Sequence, residues 1–418
     1  MTRKKNSYLK NIATLMSGTL AAQVVSLAAI PVITRIYNPT EFGAFSFLLS
    51  ISTIIGLVSS LKYDQAIMLP KRTLDTESLV KLSFIITIFF TLLSLIVIIM
   101  FGGKINEAIG YSNNIIYFIP ILVFLIGSNQ ILSASNSKIR AYKTISLSRL
   151  LNTGSSSGIQ ITSRSLFDFN GLFIGRIIGE VISFAIQLSR DSIVNFSINK
   201  SSIYRMRINA YKYVNFPKYQ SATVFINAVS QNLPVILFTA LFNPAVAGIF
   251  SLTVKVLQVP ISLVGSSTRE VYYQAASKLN SEGKCFFELY KKTTFTLAKL
   301  FIPALAIVLI WGDDCFALVF GEEWREAGNL AKMMIIWFFF LFINSPSIAT
   351  FSILGLQKIQ LKTEIISVIG RALAILIGYY IFTSYEVAIS LFILVSVATN
   401  LFLISYVFLY LKRNSSNA

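Results

Sequence analysis

Residues 82–100 read LSFIITIFFTLLSLIVIIM, nineteen positions without a charge. A helix rises 1.5 Å per residue, so this run alone extends about 28 Å, close to the roughly 30 Å hydrocarbon core of a bilayer. Apolar residues do not alternate with polar ones on a period of two, which argues against a strand of a membrane barrel. In lipid every backbone N–H and C=O needs a protein partner, and a helix supplies those partners within one segment. The stretch is therefore a transmembrane helix.

The rest of the chain repeats this signal. It has 418 residues, of which 55% are hydrophobic and only 13% charged. That charged share is about half of what a soluble domain carries. Apolar runs place spans at 11–34, 42–61, 80–101, 114–134, 145–165, 169–188, 219–241, 245–266, 294–311, 329–351, 364–383 and 387–411. The first is too long for the apolar region of a cleaved signal peptide and has no clear cleavage site after it, so it reads as an anchor that stays.

The formal net charge is +18. Such an excess can indicate nucleic-acid binding, but membrane proteins carry Lys and Arg on their cytoplasmic loops. With the N-terminus inside, and with Lys81, Arg149 and Arg164 toward span ends counted with the adjoining segments, 27 of the 36 basic residues fall in cytoplasmic segments, four outside and five within spans. This places both termini in the cytoplasm of a multi-pass protein, and no nucleic-acid partner is expected. The same count supports the fifth span, 145–165, which is rich in Ser, Thr and Gly. Without it the basic loop holding Arg190, Arg205, Arg207 and Lys212 would face outward. A span this polar should be shielded by other helices or line a cavity.

Histidine is absent, which removes His-based nucleophile, proton-shuttle and metal chemistry. Cys285 and Cys315 fall on opposite sides of the membrane in this reading, so no disulfide is expected between them, and no metal-binding spacing occurs. No cofactor, metal site or catalytic residue is expected. The segment 190–218 is the longest cytoplasmic connection. It is basic with scattered Ile, Tyr, Phe and Val, and reads equally as a surface amphipathic helix or a solvated linker.

A short repeat divides the chain. Asn38-Pro39-Thr40-Glu41-Phe42-Gly43-Ala44-Phe45-Ser46 begins the second span. Asn243-Pro244-Ala245-Val246-Ala247-Gly248-Ile249-Phe250-Ser251 begins the eighth, with five of nine positions shared. Asn and Pro suit a turn into a helix, and Gly suits close helix approach. The repeat implies two six-helix lobes, 1–203 and 204–418, of the same orientation. The expected fold is all-α: twelve transmembrane helices in two lobes around a central cavity.

Charges inside spans need a reason, since each costs about 2.5–3.5 kcal/mol at mid-bilayer on the insertion scale. Arg176 and Glu180 share a face of span six, continued by Ser183 and Gln187. Gly171, Gly175 and Gly179 form a separate stripe for tight packing. Arg176 can be an ion pair with Glu180 or part of a cavity. Lys255 and Arg371 lie well inside spans eight and eleven, with no acid in the same span other than Glu364 at the first position of span eleven. Lys299 and Lys332 lie nearer span ends, where snorkelling competes with a functional role. Five bases against one acid would create a field that favours an anionic ligand. Polar stripes add hydrogen-bonding groups: Thr19, Gln23 and Ser26 in span one, and Gln220, Thr223, Asn227 and Gln231 in span seven. Interhelical bonding is the competing reading for both.

Several of these segments resemble a known family. Asn38–Gly43, Leu61-Lys62-Tyr63-Asp64-Gln65-Ala66-Ile67-Met68-Leu69-Pro70, Ser146–Leu150 with Arg149, and Gly248–Leu252 followed by Lys255 are similar to segments of Wzx-type polysaccharide repeat-unit flippases. These belong to the multidrug/oligosaccharidyl-lipid/polysaccharide exporter superfamily. The resemblance implies a flippase for undecaprenyl-pyrophosphate-linked oligosaccharides, such as O-antigen units, that works by alternating access in the bacterial inner membrane and is not an enzyme. It implies a cationic cavity, here Arg176, Lys255, Arg371 and Lys299, with Gln23, Asn227 and Gln231 in the lumen and Glu180 as a coupling candidate. The implied partners are the lipid-linked glycan, membrane lipid, and the polysaccharide polymerase and chain-length machinery. The alternatives are a multidrug or organic-cation antiporter of the same superfamily, a membrane polysaccharide polymerase or ligase, and a peptidoglycan-precursor flippase.

Overall fold

A computed structural model of the chain describes residues 2–109, 114–194, 197 and 199–415. Among the described residues there is no strand. The longer helices are α1 (Thr2–Ile36), α2 (Pro39–Val58), α3 (Thr73–Ile109), α4 (Phe118–Lys138), α5 (Tyr142–Thr162), α6 (Gly171–Arg190), α7 (Lys200–Lys212), α8 (Ser221–Leu241), α9 (Pro244–Pro260), α10 (Ser266–Ser281), α11 (Phe287–Phe320), α12 (Arg325–Ile343), α13 (Ser345–Ile353), α14 (Gln357–Tyr380) and α15 (Tyr385–Ser415).

Ten helical segments among the described residues are long and apolar enough to cross a bilayer on their own composition. The two expected spans outside that set are α5 and α14. Both have the length: their 21 and 24 residues rise about 32 and 36 Å. They lack the apolarity, because α5 carries Ser155, Ser156 and Ser157, while α14 opens on Lys358, Lys362 and Glu364 and holds Arg371. The all-α, polytopic reading therefore agrees with the structure, and each of the twelve expected spans coincides with a helix. Several helices overrun the apolar stretch that predicted them. α3 begins seven residues before the expected span, and α11 extends nine beyond it to Phe320. Hydropathy marks the lipid-facing part, but a helix has no cause to stop where water begins.

The chain separates into two compact units, Met1–Ala240 and Leu241–Ala418. The repeat sets its division by duplicated sequence, at 203/204, and the boundary by packing lies further along the chain. In the first unit α5 lies along both α1 and α6, while α4 packs on α2, α3 and α6. In the second, α11 packs on α12, α14 on α15, and α12 also meets α9 and α15. Tyr272, Phe286, Tyr290, Phe351 and Val407 form one buried cluster there.

The glycine stripe explains how α5 and α6 approach. A Cβ on Gly175 would lie 2.8 Å from the Ser156 carbonyl, and one on Gly179 would lie 2.7 Å from the Asn152 carbonyl. Real Cβ atoms do not sit there, so the backbones touch only because these residues lack one. The polar α5 is satisfied by this packing. Gln160 donates to the Leu172 carbonyl at 3.0 Å, and its own carbonyl accepts from the Tyr37 hydroxyl at 2.9 Å. Burial raises the Tyr37 phenol above its usual pKa, which keeps it a donor.

The repeated turns have a common physical basis. Asn38 is the N-cap of α2 and accepts from the Glu41 N–H at 2.9 Å; the Glu41 carboxylate accepts from the Asn38 N–H at 3.1 Å. That is a capping box, with Pro39 at the first helical position. Asn243 caps α9 in the same way, accepting from Val246 N–H at 2.9 Å, again followed by proline. Val246 stands where the first copy has Glu41, so the second turn lacks the reciprocal bond.

Candidate functional site

On α6, Arg176 Nη2 lies 2.5 Å from Glu180 Oε1. Glu180 is buried, whereas the Arg176 side chain remains 32% exposed. The other Glu180 oxygen accepts from Asn129 Nδ2 at 2.7 Å, across the α4–α6 interface. The ladder continues along both helices. Gln187 donates to Asn129 Oδ1 at 3.0 Å and accepts from Ser133 at 2.8 Å; Asn136 donates to the Gln187 carbonyl at 3.1 Å. Interhelical hydrogen bonds in membranes average about 0.6 kcal/mol. The four in this ladder thus hold α4 to α6 by about 2 kcal/mol, a modest structural contribution. The α4 members, Asn129, Ser133 and Asn136, were absent from the sequence-level site. Their spacing of four and three places them on one helix face, which was the available signal.

Arg371 on α14 has a different setting. Its Nε donates to Ser396 Oγ at 3.0 Å, and its guanidinium carbon lies 5.7 Å from the ring centres of both Trp337 and Phe392. Among the described residues no carboxylate forms an ion pair with it. Glu364, two turns earlier on α14, acts on it only at longer range. The charge is therefore held by ring faces and one hydroxyl, which leaves other guanidinium N–H groups for a ligand. Trp337 and Phe392 were not singled out from the sequence, because three helices combine to bring them to Arg371.

The remaining bases divide. Lys332 is ion-paired to Asp313 at 2.6 Å. Asp313 belongs to the outer end of α11, so an acid counted in a loop is in fact helical. Lys255 and Lys299 are exposed. The excess of five bases over one acid is thus smaller in effect: Arg176 and Lys332 have carboxylate partners, and Arg371 does not.

The two polar stripes also differ. Gln23 is partly buried, and its Oε1 is shielded without a hydrogen-bond partner. Thr19 accepts from Arg149 at 2.8 Å, which joins the α1 stripe to the Arg149 segment. On the other stripe Gln220, Thr223, Asn227 and Gln231 are all exposed. Four exposed polar groups on one face of a membrane helix would be costly against lipid, so this face suits water.

The Leu61–Pro70 segment is a buried charged knot. Lys62 Nζ lies 3.3 Å from Asp64 Oδ2 and donates to Gln130 Oε1 at 2.9 Å. Both ions are nearly inaccessible. Leu61 and Lys62 adopt positive φ angles of 47° and 58°. That conformation is uncommon outside glycine, and here the surrounding bonds hold it. Lys138 closes the segment by donating to the Met68 and Pro70 carbonyls at 2.8 and 2.6 Å.

Such an arrangement, with all-helical units, long apolar helices and polar faces within spans, defines a polytopic membrane protein. Residues 32–329, more than half of the chain, match the family described as polysaccharide biosynthesis protein, and the chain belongs to that family. No curated protein matches it. Among solved structures, it is similar to an inward-facing multidrug resistance MATE family transporter of the MOP superfamily. Identity is 14%, coverage 97% of this chain and 98% of that one, and the TM-score 0.67. It is also similar to the lipid II flippase MurJ in an inward closed conformation, at 11% identity, 95% and 87% coverage and a TM-score of 0.73. A MATE structure in a bent conformation gives 14% identity, 99% and 96% coverage and a TM-score of 0.54. The fold is therefore the one these transporters share.

Proposed function

We propose that the protein moves undecaprenyl-pyrophosphate-linked oligosaccharide repeat units across the bacterial inner membrane by alternating access of two lobes, with both termini cytoplasmic. The observation that carries this reading is Arg371: a guanidinium inside a helix expected to span, lying 5.7 Å from the ring centres of Trp337 and Phe392 and without a carboxylate partner among the described residues. A planar fork of this kind suits two phosphate oxygens at once. Lys255 and Lys299 add exposed positive charge on α9 and α11, and the Asn227 and Gln231 face offers amides to sugar hydroxyls. The polysaccharide family assignment and the MurJ-like fold support a lipid-linked glycan as cargo.

A multidrug cation antiporter, suggested by the MATE likeness, would need a carboxylate free to meet its cargo. Glu180 is instead buried against Arg176 and Asn129. Its proposed part is coupling: protonation would release Arg176, and with it a positive charge. No bond of the cargo is made or broken in this reading, so the protein is not an enzyme. The test is deletion of the gene followed by analysis of lipid-linked intermediates. Complete repeat units held on the cytoplasmic leaflet are expected. Single repeats already on the outer face would indicate a missing polymerase and overturn the reading.

A further inference from the structure

Helix α7, which crosses the expected 203/204 division of the sequence, turns Met206 and Asn209 inward. Asn209 is buried and donates to Ser78 Oγ of α3 at 2.7 Å. Arg205 reaches Asp75 at 3.7 Å, and the α7 Ala210 carbonyl accepts from Tyr63 at 3.0 Å. Lys81 donates to Ser202 at 3.4 Å. These contacts fix the helix on the first turns of α3 through polar groups.

The opposite face is apolar and basic. Ile203, Tyr204, Ile208 and Tyr211 are exposed, the two tyrosines by 68% and 71%. Lys200, Arg207 and Lys212 are exposed among them. Steps of three and four residues put all seven on one side of the helix. Residues 200–218 hold five bases and no acid. A solvated linker would not leave four large apolar or aromatic side chains of one short helix exposed together. Aromatic rings interleaved with Lys and Arg suit the boundary between acyl chains and headgroups.

The depth agrees. On α3 the continuous exposed apolar stripe begins at Ile85 and runs through Phe89, Leu92 and Ile96. Lys81 lies about 6 Å before Ile85 along the helix axis, and Ser78 about 10 Å before it. The headgroup layer of one leaflet is roughly 5–8 Å thick. The α7 contact at Lys81 thus falls at the level of the headgroups, and that at Ser78 just past them on the aqueous side, beside the face that meets lipid.

We infer that the outer face of α7 binds the anionic lipid headgroups of the cytoplasmic leaflet, with Ile203, Tyr204, Ile208 and Tyr211 inserted and Lys200, Arg207 and Lys212 on phosphates. This interaction surface is separate from the proposed cargo site, and its test requires no transport. The full chain, with Cys285→Ser and Cys315→Ser, is spin-labelled singly at Tyr204→Cys, Tyr211→Cys or Lys284→Cys. It is then reconstituted in phosphatidylethanolamine–phosphatidylglycerol vesicles. Collision with oxygen should exceed collision with a water-soluble nickel chelate at 204 and 211, and the order should reverse at 284, an exposed turn position. In unlabelled protein, replacing Lys200, Arg207 and Lys212 with Gln should lower retained phosphatidylglycerol by about fivefold per charge. Gel filtration of the same variant checks its fold. Labels at 204 and 211 that behave like the one at 284 would overturn the inference. So would unchanged lipid retention by a well-folded triple variant.

Discussion

The Arg176 guanidinium lies 2.5 Å from the Glu180 carboxylate one turn further along α6, and burial is unequal: the acid is inside and the base a third exposed. The two partners should therefore not be equivalent to mutation. Arg176→Ala leaves a buried carboxylate with the Asn129 amide as its polar contact. Removing one member of a fully buried pair costs about 3–5 kcal/mol, and the exposure of Arg176 reduces that. Glu180→Gln leaves the exposed partner and keeps an acceptor toward Asn129. Thermal unfolding of the purified protein should show a larger fall in midpoint for Arg176→Ala than for Glu180→Gln. Equal falls would mean that the acid is not the dependent partner.

Arg371 should separate charge from shape. Arg371→Ala removes the cation, whereas Arg371→Lys keeps it but loses the planar guanidinium beside Trp337 and Phe392. If its guanidinium meets a pyrophosphate, loss of a bidentate charge-assisted contact should cost on the order of 2–3 kcal/mol, or roughly 30- to 150-fold in transport. Surface polysaccharide in a complemented deletion strain is the readout, with protein level checked in the membrane. Lys should rescue only part of the loss. Lys299→Ala, at an exposed position, is expected to have the smaller effect. Full activity of Arg371→Ala would remove it from the site.

The membrane fold was legible because a single variable, apolar length, decides it. Residues 82–100 sufficed for one helix, and loop charges recovered α5, which apolarity alone misses. The site was less legible because its members are related across helices. Arg176 and Glu180 are four apart on one helix, so their pairing could be read directly as one option. Asn129 meets Glu180 from 51 positions away, and Ser396 meets Arg371 from α15; no local period reports such pairs. Lys332 reads as a base near a span end, where snorkelling competes with a functional role; its partner Asp313 sits past a break at Trp311, where φ is −119°. Hydropathy ends near that break, although the helix goes on.

The α5–α6 seam depends on absent side chains. Gly175→Ala and Gly179→Ala would each place a methyl under 3.0 Å from a carbonyl of α5. Neither carbonyl can rotate away, being part of a helix. Each substitution should destabilise by about 1–3 kcal/mol, and the pair by more than either alone. Gly158 on α5 is the control, since a methyl there meets nothing within 4 Å. Gly158→Ala should leave the unfolding midpoint unchanged or raise it slightly, because alanine favours the helix. The measurement is detergent-solubilised unfolding followed by size-exclusion profile.

The two turns of the repeat allow a matched comparison. Asn38 and Asn243 both cap a helix that begins with proline, at 2.9 Å in each case. Replacing either with Ala removes one acceptor and should cost about 1 kcal/mol. At the first turn, Glu41 closes the box onto the Asn38 N–H and also holds Arg164 at 2.6 Å. Arg164 in turn stacks over Tyr37, 5.1 Å from the ring centre. Loss of Asn38 loosens Glu41, and through it the link between α2 and the loop before α6. Asn243 has Val246 in that place and no such link. Asn38→Ala should therefore lower the unfolding midpoint more than Asn243→Ala. Glu41→Ala should exceed both, because it leaves Arg164 only the longer, exposed pair with Asp168 at 3.4 Å beside a buried tyrosine. Equal effects at the two asparagines would show that the capping box and its ion pair contribute nothing beyond the cap itself.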